Sequence, residues 1–219
     1  NDLQNFSLIV TGSLSDINLT STTPSIIQCS TEDAEFKFDY TQQIETTTTI
    51  SVDDLPGGAT ASFSPSTISA NGEVVMTVGN LESVDAGIYD LRVTATNGDE
   101  TQIKKVELRV VHPDFTENPM SLTSPTNAEA GVLFPEIELE WADNINAEEY
   151  TVELSDNPSF TNIISTSTQT ELKFTASGLV ENSIYYWRVN PTNQCGLATS
   201  PIVYSFQTAN TEDCSNTYT

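Results

Sequence analysis

The sequence predicts an all-β protein made of two consecutive antiparallel β-sandwiches. Its 219 residues divide into two halves of roughly 110 residues, and a sandwich domain commonly has about 100. Serine and threonine make up about a quarter of the chain, and the branched Cβ of threonine suits a pleated strand. Apolar and polar residues alternate through both halves, with turn residues roughly every 8–12 positions, which is typical of a sandwich.

The first predicted sandwich spans residues 1–112. Residues 36, 38 and 40 are aromatic and fall on one face of a strand, whereas the residues between them are charged. A later strand begins near Tyr89, and the turn Asn97-Gly98-Asp99 connects it to a return strand. These alternating strands predict a buried core on one side of each sheet.

The second predicted sandwich spans residues 113–209, and residues 210–219 are interpreted as a linker or the start of a following domain. Its strands also alternate cleanly, and the proline-containing segment 112–119 connects it to the first half. The residues expected to have structural roles in this sandwich are Trp141, Tyr150, Leu179, Tyr185 and Trp187.

Both halves are acidic. Residues 1–112 contain 16 acidic and 5 basic residues, a net charge of −11, and residues 113–219 contain 15 and 2, a net charge of −13. Phosphate backbones and anionic lipids repel such a surface, so we expect no nucleic-acid partner. No apolar run is long enough to span a bilayer, so we expect no membrane insertion.

The chain is expected to be a monomeric fragment whose export signal lies elsewhere.

The first half resembles an immunoglobulin-like domain. Its Asp85-x-Gly87-x-Tyr89 run is similar to the tyrosine corner of that fold. Antibody domains place a cysteine two residues after this tyrosine, whereas this chain has Leu91. The resemblance therefore implies a disulfide-free immunoglobulin-like sandwich. The run Leu55-Pro56, Ala59 and Phe63-Ser64-Pro65 is similar to the version found in bacterial secreted proteases and surface proteins.

The second half resembles a fibronectin type III domain over about residues 119–209. The resemblance implies that Trp141 lies on strand B and Tyr150 on strand C. It also implies a second tyrosine corner, formed by Leu179 and Tyr185. The cell-adhesion tripeptide Arg-Gly-Asp is absent from the chain.

The sequence shows no catalytic set, so we expect this chain not to be an enzyme. Its one histidine, His112, is interpreted as a solvated linker residue. Glu136, Glu138 and Glu140 alternate with apolar residues, so they are expected to share the outer face of one strand. A glycosidase instead sets its two carboxylates about 5–10 Å apart across a cleft.

No cofactor is expected, and calcium is the single metal candidate. The turn after Trp141 brings several oxygen-bearing side chains together, and calcium prefers six to eight oxygen ligands. The candidate ligands are Asp143, Asn144, Asn146 and Glu148. Asparagine and aspartate are also common in turns, so an ordinary turn is the favoured interpretation.

Three cysteines leave at least one without a partner inside the chain. Cys195 and Cys214 resemble a pair that recurs in secreted modules of this kind, although a strand separates them. The competing interpretation assigns Cys214 to a following domain. Cys29 is the residue left over in either case.

The order of the two modules resembles the accessory region of secreted reprolysin-like zinc metalloproteases. This resemblance implies a non-catalytic spacer or docking region behind a catalytic domain, secreted or at the cell surface. Its partners would be the rest of the parent polypeptide and a protein or glycan ligand. The alternative is an adhesin or ligand-binding segment of a surface protein.

Overall fold

Strands dominate both halves of the computed structural model, which describes residues 16–44, 46–98, 100–197 and 201–210. The strands of the first half are β1 (Ile17–Ser21), β2 (Ser25–Cys29), β3 (Ala34–Gln42), β4 (Thr48–Asp53), β5 (Thr60–Ser64), β6 (Thr67–Ile68), β7 (Gly72–Gly79), β8 (Gly87–Asn97) and β9 (Glu100–Val111). One 3-10 turn, Leu81–Ser83, is the helical element assigned among the described residues.

The strands of the second half continue the numbering. They are β10 (Leu122–Ser124), β11 (Glu129–Val132), β12 (Ile137–Trp141), β13 (Glu149–Ser155), β14 (Ile163–Gln169), β15 (Lys173–Ala176), β16 (Ile184–Asn193), β17 (Gly196–Leu197) and β18 (Val203–Thr208). The prediction of an all-β chain is confirmed. Within the described residues, no helix has the length and apolarity that crossing a bilayer requires.

Each half forms two sheets. In the first half the strand orders are β1-β3-β7-β5 and β2-β9-β8-β4-β6. In the second half they are β10-β12-β15 and β11-β18-β16-β13-β14, with β17 paired to β16. The first two orders match the ABED and CFG sheets of an immunoglobulin-type sandwich, extended by an extra strand at each edge of the CFG sheet.

The sequence predicted antiparallel sandwiches, but two strand pairs are parallel. β2 runs parallel to β9, and β11 runs parallel to β18. In the first sandwich the chain leaves β1, crosses at Pro24 and joins the opposite sheet as β2. The Pro24 carbonyl accepts a hydrogen bond from the Glu107 N–H at 2.9 Å, which starts this parallel ladder.

Two separate groups of buried apolar residues form the cores. The first extends from residue 17 to residue 110, and the second from residue 115 to residue 206. The alternation seen in the sequence explains the first core, because β3 shows strict buried–exposed alternation from Ala34 to Tyr40. The chain between the cores, residues 111–114, is therefore the joint of the molecule.

Candidate functional site

Polar contacts concentrate where the two sandwiches meet. β9 of the first sandwich ends at Val111, and His112 follows it directly. Two loops of the second sandwich converge on this point, one after β12 and one after β16. We define the junction as residues 109–114 together with these two loops and β2.

Both ring nitrogens of His112 form hydrogen bonds with residues of the first sandwich. Its Nε2 lies 2.7 Å from the Val84 carbonyl oxygen, and its Nδ1 lies 3.0 Å from the Ser30 hydroxyl. A carbonyl oxygen can only accept, so Nε2 carries a proton and the Ser30 hydroxyl donates to Nδ1 in the neutral ring. The interpretation of His112 as a solvated linker residue is therefore wrong, because its half-buried ring anchors the end of β9.

The main chain of His112 is held by two asparagines of the second sandwich. Its N–H donates to Asn146 Oδ1 at 2.6 Å. Its carbonyl oxygen accepts from Asn193 Nδ2 at 2.9 Å and from Asn146 Nδ2 at 3.1 Å. These contacts fix the chain direction at the joint, because both main-chain groups of one residue are bound to the other sandwich.

Asn146 is fully buried, and all of its amide groups have partners. Besides its contacts with His112, its Nδ2 donates to the Asp114 carbonyl at 3.1 Å. Its own carbonyl accepts from Asn193 Nδ2 at 2.7 Å. A buried amide is costly unless it is hydrogen-bonded, so this site is favourable only while the two sandwiches remain in contact.

Arg109 makes a second bridge between the sandwiches. It lies on β9, and its Nη2 donates to the Ile145 carbonyl at 3.1 Å and also to the Ala147 carbonyl. Its buried Nε has no partner among the described residues. The guanidinium thus holds the main chain of the loop that also carries Asn146.

The loop after β16 covers the outer edge of β2. Gln194 Nε2 donates to the Ile27 carbonyl at 2.8 Å. One residue further along, Cys195 is disulfide-bonded to Cys29, with the two Cα atoms 5.5 Å apart. This separation lies in the range that a disulfide requires, so the sandwiches are joined covalently as well as by hydrogen bonds.

The predicted Cys195–Cys214 bridge is therefore wrong, and Cys29 is not left over. Cys214 is the cysteine nearest to Cys195 in the sequence and lies in the same half of the chain. In the structure the loop after β16 points to the first sandwich instead, where β2 ends at Cys29. Cys214 lies outside the described residues.

The candidate calcium ligands form hydrogen bonds within the turn after β12 and at the junction. Asp143 Oδ1 accepts from the Tyr150 hydroxyl at 2.8 Å, and Glu148 accepts from the Gln194 N–H at 2.7 Å. Asn144 Oδ1 accepts from the Asn146 N–H at 2.9 Å. No group of three acidic, histidine or cysteine side chains suited to a metal occurs in the part of the chain that the structure describes. Calcium binding at this turn stays a prediction.

Burial and the Asp143 carboxylate together set the ionisation of Tyr150. Tyr150 is 2% exposed, and the Asn144 N–H donates to its hydroxyl at 2.9 Å. Burial, with a smaller contribution from Asp143, raises the pKa of Tyr150 to about 12. The phenol therefore stays neutral and keeps donating to Asp143 well into the alkaline range.

Both tyrosine corners have the geometry that the resemblance implied. The Tyr89 hydroxyl donates to the Asp85 carbonyl at 2.9 Å. The Tyr185 hydroxyl accepts from the Val180 N–H at 3.0 Å, immediately after the buried Leu179. These bonds tie the loops before β8 and β16 to the strands that follow.

The two tryptophans lie in the second core, where the alternation placed them. Trp187 is fully buried and Trp141 is 3% exposed. Neither indole nitrogen has a partner among the described residues. Neither ring is therefore available as a platform for a sugar. On the same sandwich, Glu138 lies on the outer face of β12 and pairs with Lys173 at 3.0 Å.

An acidic cleft of about 660 Å³ lies beside the junction. The 3-10 turn of the first sandwich forms one wall, and the segment after His112 forms the other. Its titratable lining residues are Glu82, Asp85, His112, Asp114 and Glu117. This composition would favour a cationic group over an anionic one.

Comparisons with known proteins find similarity in fold. No protein-family model matches the sequence, and neither does any curated protein. Among solved structures, titin domains A168–A170 share 16% identity at a TM-score of 0.40, over 85% of this chain and 66% of that one. Domains FN1–FN3 of chicken CNTN1 share 13% identity at 0.43, over 88% and 65%.

Domains 4 and 5 of the S-layer protein SbsC share 22% identity at a TM-score of 0.34, over 43% of this chain and 51% of that one. The chain thus spans less than two thirds of the length of each of these three proteins. At these identities and TM-scores, the likenesses carry no argument about this chain. The fold is a tandem of immunoglobulin-like and fibronectin type III-like sandwiches.

Proposed function

We propose that this chain is a non-catalytic accessory region that holds neighbouring parts of a larger protein at a fixed spacing and orientation. The junction is the observation that supports this proposal. Flexibly tethered domains need only a linker, whereas here Arg109, His112 and a disulfide all restrain the joint. Relative motion is the default for tandem domains unless the interface resists it.

The proposal includes export from the reducing cytosol. Disulfides persist mainly in secreted and cell-surface proteins, and the Cys29–Cys195 bridge restrains the joint only where it stays oxidised. A net charge of −24 also favours solubility outside the cell. We therefore place the parent protein outside the cell or on its surface.

In its finer form, the proposal places the chain behind the catalytic domain of a secreted zinc metalloprotease. Only the resemblance in module order supports this step. The alternative is a segment of a surface adhesin. The acidic cleft beside His112 favours this docking role, with a cationic partner.

The sequence of the parent gene separates the protease from the adhesin. A His-Glu-x-x-His-x-x-Gly-x-x-His run upstream favours the protease, whereas further sandwiches favour the adhesin.

Small-angle X-ray scattering tests the fixed spacing. The oxidised chain is expected to fit a single arrangement of the two sandwiches. A Cys29→Ser/Cys195→Ser/Arg109→Ala variant should scatter as a broader ensemble, with a larger maximum dimension. Cys214→Ser is the matched control and should leave the curve unchanged. Equally broad ensembles for the oxidised chain and the triple variant would refute the spacer role.

A further inference from the structure

β14 ends its sheet and is paired on one side only. Its seven residues, Ile163–Gln169, form an antiparallel ladder with β13, and no strand in the described chain lies beyond it. A register shift is confined to the end near Ile163, so the remaining ladder from Ser165 to Gln169 is regular. An edge of this kind presents unpaired main-chain donors and acceptors.

The other edge strands that the structure describes are shorter or covered. They are two to five residues long, whereas β14 has seven. The outer edge of β2 is occupied by Gln194, and β5 runs directly into Pro65. β15 carries Lys173, and a lysine on an edge strand opposes pairing with another chain. β14 has none of these protections.

β14 carries no charge, and one carboxylate lies near each of its ends: Asp156 Oδ2 accepts from Asn162 Nδ2 at 2.7 Å, and Glu171 follows Gln169 by two residues. No charged residue occurs from 157 to 170, in a chain whose charged content is 17%. Asp156 precedes this run and Glu171 follows it. Proteins usually protect an exposed edge with charges or proline, so an uncharged, proline-free β14 is well suited to pairing.

The side chains of β14 also suit strand addition. Thr166 and Thr168 are exposed, and the Thr168 hydroxyl lies 2.9 Å from that of Thr151 on β13. Ile163 and Ile164 are each 37% exposed. Branched residues of this type favour extended pairing, and main-chain bonds would supply affinity while the side chains select the partner.

We propose that β14 binds an extended strand of another protein, one that has an uncharged centre and basic residues on both sides. The uncharged centre matches β14, and the basic flanks match Asp156 and Glu171. A second copy of this chain fits less well, because two molecules of charge −24 repel each other. The partner is therefore a basic extended segment of a different protein.

The test uses a synthetic peptide that repeats residues 162–170 with two lysines at each end. A second peptide replaces the lysines with glutamates. Two further lysine peptides are N-methylated at every second residue: one carries the methyl groups along one edge of the extended peptide, and the other carries them along the opposite edge. We expect the lysine peptide to bind at least about tenfold more tightly than the glutamate peptide at low salt. One N-methylated peptide should lose binding, because its pairing edge is blocked.

NMR chemical shifts locate the contact, and Thr168→Lys on the protein should remove it. Thr41→Lys is the matched control, because it adds the same charge to an exposed position on an inner strand of the first sandwich. Undiminished binding of both N-methylated peptides, shift changes away from residues 163–169, or no binding would overturn the proposal. Self-association of the chain that Thr168→Lys abolishes would also overturn it, by assigning the edge to a second copy.

Discussion

Cys29 at the end of β2 is bonded to Cys195 in the loop after β16, across 166 residues of sequence. The bond closes a loop that contains most of both sandwiches. Arg109, His112 and Asn146 make their contacts between the sandwiches within the same junction. The disulfide and this hydrogen-bond network therefore restrain the same joint.

Removing the bridge should lower stability. Closing a loop of this length is worth about 5 kcal/mol in the chain-entropy account, and typical measured values are about 2–4 kcal/mol. We expect Cys29→Ser/Cys195→Ser to lower the free energy of unfolding by about 2–4 kcal/mol, measured by urea denaturation. Reduction of the unmutated chain should reproduce the change. An unaltered urea midpoint would show that the bridge does not constrain the unfolded chain.

Asn146→Ala should destabilise the junction. The substitution removes the partner of the half-buried His112 N–H and one partner of the Asp114 carbonyl, and an unsatisfied buried group costs about 1–3 kcal/mol. We expect a loss of about 1–3 kcal/mol in thermal or urea unfolding. The control Asn18→Ala, at an exposed position, should change stability by less than about 0.5 kcal/mol. Similar small effects for both variants would mean that the network contributes little.

Trp187→Ala should cost about 3–5 kcal/mol, because it truncates a fully buried aromatic ring. Trp187 also meets Tyr204 edge-on, with ring centroids 6.0 Å apart. Its indole nitrogen has no partner among the described residues, so Trp187→Phe sacrifices no hydrogen bond there and should cost clearly less. A cost below about 1 kcal/mol for the alanine variant would place Trp187 outside the core.

Alkaline pH should weaken the fold through Tyr150. Its pKa is raised from about 10 in the unfolded chain to about 12 in the folded one. The folded state therefore keeps a proton that the unfolded state loses, and stability falls as pH rises from about 10 to about 12. Tyr150→Phe should be less stable at pH 8 but lose less stability over that range. Parallel pH profiles in urea titrations would contradict this assignment.

The sequence predicted the parts of the fold that depend on local pattern. Strict alternation from Phe36 to Tyr40 is sufficient to predict β3, and a tyrosine corner needs only Tyr89 and nearby backbone. β2 and β11 were not predicted, because five- and four-residue strands carry little periodic signal. Their parallel pairing also depends on which sheet the chain joins, and local alternation does not encode that choice.

The junction was not predicted, for a related physical reason. Asn146 and Asn193 resemble ordinary turn residues in the sequence, and only their meeting with His112 gives them a structural role. That meeting joins positions 34 and 81 residues apart. The density of asparagine in the turn after Trp141 was the available signal, and it was interpreted as a possible cation site.

Disulfide mapping tests the covalent joint most directly. The purified, unreduced chain is alkylated, digested with chymotrypsin and analysed by mass spectrometry, since cleavage after Tyr204 or Phe206 separates Cys195 from Cys214. We expect a linked peptide pair that contains Cys29 and Cys195, with Cys214 in a separate peptide. A linked pair that contains Cys195 and Cys214, or alkylation of Cys29, would contradict it.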